Sequence, residues 1–324
     1  MTVTRRTLLS SIAGSLVAST LPVAAQAEWP SRLVRLISPY GAGGANDISL
    51  RILAEQFSRR LNQQFIVENK PGAGTRIAND LVAHAAPDGY TILYAAAPYA
   101  TAEALYGPQK YERKDLQPVA MAVLAPIFLI VNAATPCRNV QELIAWGRSR
   151  PDGLTFGSPG PGSQPHLAAE LLFREAGVKG INVPFRGDAA AYTELLAGRL
   201  AATLTAISAG LPPIESGAMR VLGTASAGRS AIYPDAPTLR EQGFASVVAA
   251  GWYGFMVPAD VPRPIVEKLE REIIRALGES EVKQKLVVQG LEASPRPAAE
   301  FGKFIDDETA KWGKLIREAG LKGE

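Results

Sequence analysis

From Leu33 onward, short apolar runs alternate with segments whose apolar residues recur every three or four positions. Leu33 to Ser38 reads as a strand. Ile48, Ile52, Leu53, Phe57 and Leu61 share one helical face, so Asn46 to Leu61 is predicted as an amphipathic helix. Phe65 to Val67, Thr75 to Ala85 and Tyr90 to Ala95 continue as strand, helix, strand. The alternation resumes with a helix at Asn139 to Ser149, a strand at Leu154 to Phe156 and a helix at Pro165 to Ala176. A strand at Ile181 to Phe185, a helix at Asp188 to Ala197 and strands at Leu200 to Thr205 and Arg220 to Thr224 follow. Such alternation predicts an α/β fold with a mostly parallel sheet and helices on both faces. Val119 to Asn132 is apolar throughout and long for one strand, so it is predicted to cross between two α/β units. Trp252 to Val257 is the predicted return. The helices Pro264 to Leu277, Ser280 to Gln289 and Ala298 to Ala319 then pack back on the first unit. The expected division is residues 28–131 with 250–324 in lobe 1 and 132–249 in lobe 2, with a cleft at the junction.

The first residues depart from this pattern. Arg5-Arg6 precedes a largely apolar stretch from Leu8 to Ala24, and Ala25-Gln26-Ala27 is an A-x-A cleavage signal. Residues 1–27 are therefore expected to be a cleaved signal peptide, and the mature chain to work outside the cytoplasm. The paired arginines fit either the general or the twin-arginine export route. Exported space offers little ATP or NAD. The net charge of +3 is interspersed, without a basic stripe, which argues against nucleic acid. The lone cysteine, Cys137, has no internal disulfide partner, and zinc-ligand spacings are absent. No cofactor and no metal are expected.

Two glycine-rich turns carry the candidate chemistry. Pro39-Tyr40-Gly41-Ala42-Gly43-Gly44-Ala45 joins a strand to a helix, and Asn46 or Asp47 is placed to cap it. Gly157-Ser158-Pro159-Gly160-Pro161-Gly162-Ser163 does the same in the second unit, with Pro165 in the first helical turn. Glycines let backbone N–H groups face a ligand, and a helix N-terminus favours negative charge. Two such turns at strand C-terminal ends predict a clamp on a small molecule with negative groups at its two ends. Arg186 follows a strand and is placed to pair with a carboxylate.

Other readings are weaker. The first turn approaches G-x-G-x-x-G, with Glu68 as ribose acceptor, but Asn46 stands where the third glycine belongs. No G-x-S-x-G elbow occurs, and His166, three residues after Ser163, suits a helix start better than a nucleophile's base.

The chain resembles the solute-binding proteins of tripartite tricarboxylate transporters, the Bug or TctC-like family. The resemblance rests on Pro39 to Asp47, Val67-Glu68-Asn69-Lys70-Pro71-Gly72-Ala73-Gly74, Ala86-Pro87-Asp88-Gly89-Tyr90-Thr91 and Gly160-Pro161-Gly162-Ser163 with His166. Val183-Pro184-Phe185-Arg186-Gly187, Pro234-Asp235-Ala236-Pro237-Thr238 and Trp252-Tyr253-Gly254 continue it in order. It implies a two-lobed Venus-flytrap fold in the periplasm, no catalysis, a small carboxylate ligand, a monomer, and membrane permease subunits as partners. It also implies ligand contacts from Tyr40, Ala42, Gly43, Gly44, Asn46 and Asp47 in the first lobe and Ser158, Gly162 and Ser163 in the second. Ala97 and Thr101 come from the third loop, and Asp188 and Thr205 complete the set with Arg186. The third loop, Ala96 to Thr101, has fewer Gly and Thr than the family's, and Gly198-Arg199-Leu200-Ala201-Ala202 lacks the family's Asp. Both departures bear on which solute fits. A ligand sensor acting with a signalling kinase fits the same residues, and an exported hydrolase is a third class.

Overall fold

The computed structural model describes residues 28–323. The expected signal peptide lies outside them. The first half contains β1 (Val34–Ser38), α1 (Ala45–Leu61), β2 (Phe65–Asn69), α2 (Arg76–Ala83), β3 (Thr91–Ala96) and α3 (Pro98–Tyr106). β4 (Leu116–Asn132) leads out of it. The second half contains α4 (Val140–Arg148), β5 (Leu154–Ser158), α5 (Gln164–Glu175), β6 (Gly180–Pro184), α6 (Asp188–Leu196), β7 (Ala202–Ala206), α7 (Leu211–Glu215) and β8 (Met219–Thr224). β9 (Ala250–Pro258) returns, followed by α8 (Arg263–Gly278), α9 (Ser280–Val288), β10 (Glu292–Pro297) and α10 (Ala298–Ala319).

The strands lie in the order β2-β1-β3-β9-β4-β7-β5-β6, with β10 and β8 also pairing β4. Within each half the outer pairs are parallel, as the strand–helix alternation requires: β1 with β2 and β3, β5 with β6 and β7. At the centre the expectation of a mostly parallel sheet fails. β4 runs antiparallel to β9, β7, β8 and β10, and β9 antiparallel to β3. The cause is the length of β4. Its first part pairs in one half of the sheet and its second part in the other, and β9 runs back alongside it. Pro118 sits where the β4–β9 register shifts, the place in a sheet that tolerates a missing N–H.

Three elements have no counterpart in the sequence reading, and of these the five-residue α7 is too short to show a helical period. α3 occupies what reads as a loop. Pro98 stands at its start and most of its residues are buried, so no polar face marks a helical period. β10 carries two prolines, and its pairing with β4 shifts register between Ala293 and Arg296.

α10 belongs to more than one packing cluster. Phe301 and Ile305 are buried with Trp252, Leu93 and Met256. Trp312 and Ile316, two turns further on, are buried with Leu105, Leu129 and Leu167. The Phe301 ring meets Trp252 edge-on, with centroids 5.6 Å apart, and a β-carbon on Gly254 would lie 2.4 Å from it. Phe301→Ala leaves a cavity beneath β9 and is expected to cost about 3–5 kcal/mol. Urea unfolding checks this; a loss under ~1 kcal/mol would show that the helix does not anchor the strand.

Candidate functional site

β1 ends at Ser38, the chain turns, and α1 starts at Ala45. Its N-cap residue is Gly44, with no side-chain cap. Asn46 and Asp47, expected to cap, lie inside the first turn and are buried. Asn46 accepts from the Ser38 hydroxyl at 2.8 Å and donates to the Tyr94 carbonyl at 3.4 Å. Asp47 accepts from Gly43 N and Arg51 Nε, both at 3.0 Å, and from Asn69 Nδ2 at 2.9 Å. Burial pushes the Asp47 carboxyl up, but the bonds from Arg51, Gly43 and Asn69 outweigh it and hold it below its ordinary value. Both side chains therefore brace the turn from behind. The first N–H groups of α1 are left for something in front.

The second turn is built differently. Ser163 is the N-cap of α5, accepting from His166 N at 3.3 Å and donating to the Gly160 carbonyl at 2.7 Å. His166 Nδ1 accepts from Gly162 N at 3.1 Å, and its ring stacks on Phe156. The histidine closes the turn, in keeping with its place at a helix start. Ser158 is fully buried, and its hydroxyl has no partner among the described residues.

The two turns meet. Gly41 N donates to the Arg186 carbonyl at 3.0 Å, and Ala45 N donates to Asp188 Oδ2 at 3.2 Å. Thr101 donates to the Gly162 carbonyl at 3.0 Å, and Gln164 donates to Glu308. Asp188, the first residue of α6, is buried, and its other oxygen accepts from the Thr205 hydroxyl. Burial pushes its carboxyl up, against the bonds from Thr205 and Ala45.

Between the turns lies a cavity of about 20 Å³, lined by Tyr40, Ala97, Ser163, Asp188, Trp252 and Tyr253 among others. Burial, then the nearby Asp188 charge, raises the Tyr40 and Tyr253 hydroxyls, so both stay neutral and able to donate.

The candidate residues fall into distinct places. Tyr40, Ala97, Ser163 and Asp188 line the cavity. Gly44 lies against Asp188, where a β-carbon would sit 3.3 Å from Oδ2. Thr101 and Gly162 bond to each other across the two sides, and Thr205 holds Asp188 within the second. Ala42 and Gly43 form an exposed tip. Arg186 supplies its carbonyl while its side chain is exposed. The sequence reading missed the floor, made by Ala125 and Ile127 of β4 and Gly251, Trp252 and Tyr253 of β9. Strands predicted to cross between units must pass beneath a cleft at the junction, and that signal would have found them.

Glu68, weighed as a ribose acceptor, is gripped by Arg35 through two bonds of 2.6 and 2.9 Å. That guanidinium holds its carboxyl down at about 2.

Residues 49–321 match the family model described as the tripartite tricarboxylate transporter family receptor, TctC. The chain is 34% identical to the protein BugT of Bordetella pertussis over 304 residues, 93% of each chain. Among solved structures, a Rhodopseudomonas palustris protein solved with adipate superposes with a TM-score of 0.88 at 30% identity, over 92% of this chain and all of that one. MatC of the same species, solved with bound malate, gives 0.83 at 29% identity, over 89% of this chain and all of that one.

A β-carbon on Gly41 would lie 2.9 Å from the Arg186 carbonyl oxygen. Gly41→Val is therefore expected to hold the first turn away from the β6–α6 connection and the two halves apart. Small-angle X-ray scattering should give a larger radius of gyration than the unsubstituted chain, with stability changed by no more than ~1 kcal/mol. An unchanged scattering profile would show that this approach does not set the closed state.

Proposed function

The chain belongs to the tripartite tricarboxylate transporter receptor family, and from that premise we propose that it captures a small organic carboxylate in the periplasm for membrane permease subunits. The observation that carries this reading is that two glycine-rich turns, each opening a helix, line one cavity, with the first bonded across it to the start of α6. Amides at a helix N-terminus offer a carboxylate hydrogen bonds and a favourable dipole without a cationic side chain. The adipate and malate in the neighbouring structures support the ligand class. The sequence of residues 1–27 supports export.

Binding on this reading is a hinge motion. A cavity of about 20 Å³ has room for a water molecule but not for an organic acid, so the halves part to admit a solute and close on it. β4 and β9 are the strands about which 28–131 with 250–324 turns against 132–249. Each charge-assisted hydrogen bond contributes about 1.5–3 kcal/mol. Four or five exceed the ~8 kcal/mol of a micromolar site before ordering costs. Tyr40 and Tyr253 donate hydroxyls, Ser163 and the α1 amides complete the polar set, and no catalytic step is assigned. Closure excludes water and strengthens every bond inside.

A thermal-shift panel of mono-, di- and tricarboxylic acids, with mass spectrometry of acids retained through purification, tests the reading. A fitting acid at a hundred times its dissociation constant should add about 2.7 kcal/mol. The acid should be recovered unchanged. No shift across the panel together with no retained acid would overturn the assignment, and turnover of the bound acid would replace it with an enzyme.

A further inference from the structure

Among the described residues that line the cavity, Asp188 is the one with a formal charge, and that charge is negative. This is an odd furnishing for a pocket that takes carboxylates. Its carboxylate is buried, with Ala45 N and the Thr205 hydroxyl as its donors from other elements. Among the described residues, no arginine, lysine or histidine pairs with it.

The position of Asp188 makes the point sharper. Its Oδ2 rests on the first N–H of α1, a helix of 17 residues whose N-cap supplies no side chain. A solute that takes the first amide of α1 must part Ala45 from Asp188. Two complementary groups then face the solute side by side, an uncapped helix N-terminus and a carboxylate that has lost a donor. A plain carboxylate inserted there satisfies the helix but leaves two buried anions together. A solute carrying an ammonium and a carboxylate on one carbon satisfies both, its carboxylate on the α1 amides and its ammonium on Asp188.

We propose that Asp188 and the N-terminus of α1 form a subsite for the head group of an α-amino acid, with Asp188 selecting for the ammonium. This rests on the carboxylate-binding reading above and narrows it. Tyr40 and Tyr253, beside Asp188 in the cavity, then serve the remainder of the solute.

The test is isothermal titration of the whole mature chain with matched pairs that differ in the ammonium: L-alanine and propionate, L-aspartate and succinate, L-glutamate and glutarate, L-phenylalanine and 3-phenylpropionate. For every skeleton that fits, the aminated member should bind at least about tenfold tighter, the effect of one buried charge-assisted bond. Asp188→Asn should bring the two members to within about threefold, mainly by weakening the amino acid. The wild-type pairs decide the matter even if that variant does not fold. A deaminated acid that matches or exceeds its partner overturns the ammonium subsite and leaves the carboxylate reading standing. So does binding of acids from the wider panel with none from these pairs. If no acid of either set binds, the carboxylate reading falls and the subsite with it.

Discussion

A helix whose first amides have no side-chain cap needs a partner for them, and the first half of this protein finds it in the second. Ser38, Arg51 and Asn69 turn Asn46 and Asp47 inward. The N-terminus of α1 is thereby free to accept an acid from outside its own half. In the described conformation that acid is Asp188, held in turn by Thr205. The Gly41 to Arg186 bond, the Thr101 to Gly162 bond and the small cavity depend on the same approach. Unpaired amides and a buried carboxylate are each expensive alone. Each half thus presents what the other lacks.

Much of the fold was legible because apolar spacing in the outer units is regular. Ile52, Leu53 and Phe57 mark α1, and Leu154 to Phe156 mark β5. The even apolar run of β4 gave its length away as well. Strand direction at the centre was not legible. β4 is buried on both faces for most of its course, so its residues do not alternate and nothing local fixes which neighbour it meets. α3 escaped because burial around most of its surface erased the helical period. β10 escaped because its prolines argue against a strand unless the register shift is known.

The candidate site was legible in its turns and less so in its contacts. Glycine and serine at strand ends pointed to Tyr40, Gly44 and Ser163, and the family resemblance to Asp188, all at or against the cavity. Composition alone does not say which way a turn residue faces. Asn46 and Asp47 look like ligand groups and serve as internal braces, while Arg186 is exposed, does not line the cavity and gives the first turn its carbonyl. The apolar floor from β4 and β9 carries no chemical signature. It is assigned by topology, which a linear reading reaches only after deciding that those strands cross.

α10 ties the interior to the exterior. Glu308, which burial pushes above its ordinary value, accepts from Gln164 at the cavity rim and from Trp312 at 2.9 Å one turn along. Its neighbours Lys311 and Asp307 are exposed. If the halves part as the hinge reading has it, Gln164 would leave Glu308, and the exposed charges beside it on α10 would act as an indicator needle for a chamber they never touch.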